Sequence, residues 1–171
     1  PASVLSDFEL TGLFGELAVL SEFSKPDKAI TCWHERLDSK YDFALEGFRL
    51  EVKTSLGSQR IHNFSSSQLP PNEAVEVTIC SVLTEHVPDG KSVIDLWIEL
   101  QENAENEISK GKLRDQVLSI IKKDLLKAES TTFDYELTKG SMQYFSALDI
   151  PTVQLQEGVL SASWEAHIEG I

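Results

Sequence analysis

One stretch, YDFALEGFRLEVKTS at residues 41–55, constrains this chain more than any other. In an extended chain successive side chains point to opposite faces. Phe48, Leu50 and Val52 therefore share an apolar face, and Arg49, Glu51 and Lys53 share a charged one. Upstream, Phe43, Ala44 and Leu45 form a second apolar run, and Glu46 and Gly47 make a tight connection between the two. This spacing predicts a hairpin with Asp42 near the Glu51/Lys53 end of its neighbour. Either the charged face is a solvated ion pair, worth at most about 1 kcal/mol, or two acids and a lysine are gathered to hold a metal.

The D/E-x-K spacing alone carries little weight. With 28 acids and 11 lysines in 171 residues, about two chance matches are expected. Three occur: Asp38/Lys40 in a polar loop, Asp89/Lys91 in a turn after Pro88, and Glu51/Lys53. Only the last lies on a strand behind an upstream acid. It also follows an unusual helix. Residues 3–24 place Leu10, Leu13, Phe14, Leu17 and Leu20 at spacings of three and four, the pattern of an amphipathic helix. At about 100° per residue Glu16 falls inside that stripe, where an unpaired charge is costly. Gly12 and Gly15 flank it and would let another element come close.

Strands are expected at 41–45, 48–55 and 60–64. SSSQL then reads as a helix start with Ser65 as N-cap, and β-branched residues make 72–87 a long strand. Two helices follow, one around Val93, Leu96, Trp97 and Leu100, the other around Leu113, Val117, Ile120 and Ile121, with the acidic segment 101–112 joining them. Residues 133–168 are expected to add one or two strands. Trp33, Trp97 and Trp164 read as core or edge aromatics.

The remaining features narrow the function classes. A hydrophobic content of 41% over this length suits one domain spanning 1–171. No run reaches a membrane span, and the first residues lack a signal peptide's basic and apolar regions. The chain starts without Met, which reads as a piece, such as the C-terminal part, of something longer. Cys32 and Cys80 have no ligand spacing and are expected to be buried free thiols in a reducing, cytoplasmic compartment. PDGKS lacks the first glycine of a phosphate loop, no serine sits in a nucleophile elbow, and the histidines and cysteines show no zinc spacing. The net charge of −13 is spread evenly over both halves. Free-standing nucleic-acid binders are usually basic, so such a role would need a local patch, a metal or a basic partner.

Taken together, Glu16 in GLFGELAVL, Asp42 in YDFAL, Glu51 and Lys53 in LEVKTS, and Gln68 in SSSQL resemble the PD-(D/E)XK nuclease superfamily. RIHNFSSSQL is similar to a branch of PD-(D/E)XK motif proteins from prokaryotic restriction and defence loci, in which an Arg, a His and a Ser precede Gln-Leu. The likeness covers about residues 5–86. Asp42 departs from the pattern in following Tyr41 rather than Pro.

The resemblance implies an α/β restriction-endonuclease-like core of helix, three strands, helix and strand over about 3–87, with a C-terminal extension of helices and strands over 88–171. It implies a Mg²⁺-dependent endonuclease acting on DNA, with Mn²⁺ able to substitute. Asp42, Glu51, the Val52 carbonyl and Glu16 would be the metal ligands, and Lys53 would act on the attacking water. Gln68 would be a substrate contact or a helix-end hydrogen-bonder. Arg60, His62 and Ser65 would meet the DNA phosphate, with a structural contact or a catalytic base as the alternatives for His62. Partners would be DNA and other proteins of a restriction or defence system, with no membrane and with a homodimer left open. A rival of another class keeps the fold as a non-catalytic, protein-binding subunit.

Overall fold

The computed structural model describes residues 4–35, 39–69 and 75–171. Ser3, Asp38 and the expected strand start at 72–74 lie outside them. Helix α1 spans Asp7–Ser21 and starts at a reciprocal cap, in which Ser6 Oγ accepts from the Glu9 N–H and the Glu9 carboxylate accepts from the Ser6 N–H. Each such cap typically contributes about 1 kcal/mol. From Leu10 to Leu20 only Gly12 and Glu16 escape full burial. The helix is thus central, and beyond its first turn its less buried side is a narrow line through Gly12 and Glu16. A short helix α2, Pro26–Cys32, follows. Only Pro26 at its first position signals it.

Strand β1 (Phe43–Leu45) and β2 (Phe48–Leu56) form the expected hairpin around Glu46 and Gly47, the latter at φ 72°. Strand β3 covers Ile61–Ser65, β4 Glu76–Thr84 and β5 His86–Lys91. The main sheet runs β1-β2-β4-β6, with β2 and β4 parallel and β6 (Gln143–Ser146) antiparallel to β4. β3 leaves this sheet and pairs antiparallel with β7 (Ser163–His167). Alternation along β4 explains the layering. Cys80 and Val82 pack with Leu50, Val52 and the helices, whereas Val77 and Ile79 pack with Phe64, Ala147 and Ala166 on the other face. The result is a mixed α/β fold.

Four expectations need correction. Residues 66–69 form a turn, not a helix start: Gln68 N–H closes onto Ser65 O, and residue 66 is strapped to Ala162 by two hydrogen bonds. Ser65 Oγ meets Ser67 Oγ instead of a helix N–H. The acidic 101–112 is mostly helix. α3 (Val93–Asn103) and α4 (Glu107–Ile121) are joined by three residues whose backbone N–H groups at 105 and 106 donate to Asp27. The acids of 101–112 therefore sit mainly on exposed helix faces.

The tail is the third case. Its two strands form as expected but join different sheets, and residues 135–140 are a helix, α6 (Tyr135–Gly140), capped by Asp134; α5 (Leu125–Ser130), capped by Asp124, precedes the tail. Asp89/Lys91 is the fourth. It lies in β5 rather than a free turn, and Lys91 pairs with Glu99 at 2.7 Å.

Candidate active site

Strand β1 ends after three residues, which leaves β2 beyond Leu50 without a strand neighbour on that side. The register pairs Phe43 with Leu50, so one step further places Asp42 opposite Glu51. Asp42 Oδ2 accepts a 2.7 Å hydrogen bond from the Val52 N–H, standing in for the missing ladder partner. Helix α1 crosses here through Gly15. A Cβ at Gly15 would overlap Thr54 Oγ1 and come within 2.9 Å of Thr54 Cβ. This close approach brings Glu16 to the notch. Glu16, Asp42, Glu51, Val52, Lys53 and His62 all line one cavity of about 500 Å³.

Glu16 is held firmly. Its Oε2 accepts from the Trp33 indole N–H at 2.8 Å and lies 2.8 Å from His34 Nε2. His34 Nε2 is also 3.8 Å from Asp42 Oδ1, and one ligand atom from each of Glu16, His34 and Asp42 falls within 4.8 Å of the others. Glu51 stands outside that trio. Its Oε1 accepts from Gln68 Nε2 at 2.6 Å and pairs with Lys53 Nζ at 3.1 Å. Gln68 Oε1 in turn accepts from Lys53 Nζ at 3.1 Å. Gln68 thus ties acid and lysine together from the turn after β3.

The electrostatics are unbalanced. Burial, then the negative charges of Glu16 and Glu51, push the Asp42 carboxyl well above its usual range. Burial also raises Glu51, against the pull of Lys53. Glu51 is 5% exposed, and its Oε2 is buried without a hydrogen-bond partner. Such an atom normally costs a few kcal/mol. Three carboxylates facing one lysine, with an orphaned carboxylate oxygen, form a donor set that fits a hard divalent cation.

A family model described as "Putative PD-(D/E)XK family member, (DUF4420)" matches residues 1–169. The chain belongs to this family. No curated protein and no solved structure matches it. Membership makes the chain nuclease-like and agrees with the mixed α/β fold and with the resemblance carried by Glu16, Asp42, Glu51 and Lys53.

In this family member the expected phosphate contacts are rearranged. Arg60 is 3% exposed, and its guanidinium donates to Ser81 O at 2.8 Å, to Ser81 Oγ at 2.9 Å and to Ser141 O. It pins β4 to the chain before β6. His62 is also 3% exposed, and both ring nitrogens are engaged, Nδ1 with Ser55 Oγ at 2.9 Å and Nε2 with Ser81 Oγ at 2.7 Å. Burial first, then Lys53 and Arg60, lower its pKa to about 4. These contacts with Ser55 and Ser81 fit the structural alternative for His62. Ser65 is not among the cavity-lining residues.

Trp33 and His34 escaped sequence reasoning, because no spacing in the chain marks residues 17 and 18 positions after a glutamate as its partners. Among the described residues no helix is long and apolar enough to cross a membrane.

Proposed function

We propose that this chain is a Mg²⁺-dependent nuclease hydrolysing DNA phosphodiester bonds, with Mn²⁺ able to substitute, working beside other proteins of a prokaryotic restriction or defence system. The defence setting rests on the resemblance of residues 60–69 alone. One observation carries the chemistry: Glu51, whose buried Oε2 has no hydrogen-bond partner, lines the same cavity as Asp42 and Glu16, beside a lysine anchored by Gln68. Asp42, Glu51 and Glu16 would hold the ion, and Val52, between Glu51 and Lys53, would offer its carbonyl. When bound, the ion supplies Lewis-acid polarisation of the phosphate and a lowered pKa for water.

The side chains do the rest. Hydrolysis adds water across a P–O ester bond, so negative charge grows on the phosphate oxygens and the attacking oxygen loses a proton. Lys53 Nζ, held by Glu51 and Gln68, would stabilise that charge and orient the attacking water. Trp33 holds Glu16 in one rotamer, and the Val52 N–H holds Asp42, so neither carboxylate must reorganise when substrate arrives.

The test compares plasmid nicking by wild type and Lys53→Ala at low salt, with and without Mn²⁺. Wild type should nick only with the ion. Lys53→Ala should lose on the order of 10²–10³ in rate while still binding Mn²⁺ in calorimetry. Equal nicking by both proteins would reveal a contaminant and defeat the reading.

One observation favours the non-catalytic, protein-binding alternative. The net charge is −13, and with Arg60 drawn inside, Lys53 is the one Lys or Arg among the described residues lining the cavity. If neither protein nicks DNA, even with genomic neighbours added, while the chain binds one of them tightly, that alternative prevails.

A further inference from the structure

We propose that His34 is a direct metal ligand, and that its imidazole makes this a Mn²⁺-preferring site rather than an all-oxygen Mg²⁺ site. The proposal rests on the divalent-cation reading above and adds a residue and an ion preference to it. His34 Nε2 lies 2.8 Å from Glu16 Oε2 and 3.8 Å from Asp42 Oδ1. At metal–ligand distances of about 2.0–2.1 Å, adjacent donors of an octahedral ion stand about 3 Å apart and opposite ones about 4.2 Å. Glu16, His34 and Asp42, with ligand atoms mutually within 4.8 Å, need little movement to share one ion.

The placement of His34 is built rather than incidental. Its backbone sits at φ 42°, in the left-handed region that non-glycine residues rarely adopt. Its N–H donates to Asp42 O at 2.7 Å, and Trp33 bridges Phe43 in the sheet. The preceding indole N–H is bonded to Glu16. Two adjacent residues thereby lock Glu16 and Asp42 into one unit, with an imidazole between their carboxylates. Glu51, buried and with its Oε2 lacking a hydrogen-bond partner, lines the same cavity and is an independent sign that the cavity is built for a cation.

The ligand set then decides which ion. Mg²⁺ prefers oxygen donors and near-ideal octahedral geometry, whereas Mn²⁺ shares its preference for carboxylates but belongs to the transition series, whose members take imidazole more readily than Mg²⁺ does. The competing explanation is that His34 serves only as a hydrogen-bonded partner of Glu16 and never touches the ion.

Pulsed electron paramagnetic resonance of the Mn²⁺-loaded full chain separates the two. Directly coordinated imidazole gives nitrogen modulation that changes when histidine is labelled with ¹⁵N. We expect this modulation in wild type, its persistence in His62→Gln and its loss in His34→Asn, a replacement that tolerates the left-handed backbone. Titration calorimetry with Mn²⁺ alone and Mg²⁺ alone should show His34→Asn weakening Mn²⁺ by about tenfold or more and Mg²⁺ far less. If wild type binds Mn²⁺ without nitrogen modulation, and Asp42→Asn abolishes that binding, the His34 proposal is overturned while the carboxylate site stands. If wild type binds neither ion, both fall. The wild-type spectrum decides the matter even if the His34 variant does not fold.

Discussion

Asp42 and His62 make opposed demands on the fold, and single substitutions should expose both. Asp42 faces two other carboxylates in a buried notch. Asp42→Asn keeps an acceptor for the Val52 N–H and removes one charge from the cluster. Without divalent ions at neutral pH this variant should melt higher, by about 0.5–2 kcal/mol of stability as functional sites commonly yield. It should also bind Mn²⁺ far more weakly. Scanning calorimetry in chelator, followed by titration, checks both halves, and an unchanged Mn²⁺ affinity would remove Asp42 from the ligand set.

His62 carries the pH dependence. Its folded pKa is about 4 against an ordinary value of 6.5, so the unfolded chain takes up the proton first as pH falls. The stability His62 contributes is full above about pH 6.5 and is lost between there and about pH 4, by up to about 3 kcal/mol. Asp42 and Glu51 work in the opposite sense. Their raised values destabilise the fold at neutral pH and relax as acid protonates them. The informative comparison is therefore wild type against His62→Gln, and melting curves from pH 7 to 4 should fall less steeply for the variant.

At the scale of elements, the contact of α1 with β2 decides whether Glu16 reaches the site. Gly15→Ala would push a methyl into Thr54, whose Cβ cannot move without its strand. Overpacking of this kind costs about 1–3 kcal/mol, and it should also weaken Mn²⁺ binding by displacing Glu16. Gly12→Ala is the control. Nothing lies within 4 Å of a Cβ there, so helix propensity should leave it neutral or up to about 1 kcal/mol more stable. Equal destabilisation by both changes would show that the α1–β2 approach is not what Gly15 provides.

For the whole molecule, charge governs access to DNA. Each neutralised phosphate contributes roughly −0.9 to the slope of log K against log salt. With Arg60 internal and Lys53 the one Lys or Arg lining the described cavity, the chain alone should bind duplex DNA weakly, with a slope of roughly −1 to −2. A basic partner should steepen it. Fluorescence anisotropy across a salt series measures this, and a slope near −6 for the isolated chain would overturn the expectation by revealing an extensive basic contact surface.

The hairpin, the opposed faces of β2 and the placement of Glu16 on α1 were all legible in sequence, because each follows from local periodicity and turn chemistry over a few residues. Asp42 opposite Glu51 follows from the same two-residue connection. The helices α5 and α6 were missed because they are only six residues long, too short for a periodic signal, with capping aspartates as the one clue. The turn at 66–68 displaced an expected helix because its backbone bonds go to residue 162, nearly a hundred positions away. Arg60 and His62 look identical, in sequence, whether they face solvent or β4. Only the departure of β3 into a second sheet with β7 turned them inward onto Ser81. Trp33 and His34 meet Glu16 solely because α2 folds back beside β1. Local pattern thus determined which residues could do chemistry on a strand and a helix, and tertiary packing decided which of the remaining polar side chains joined them.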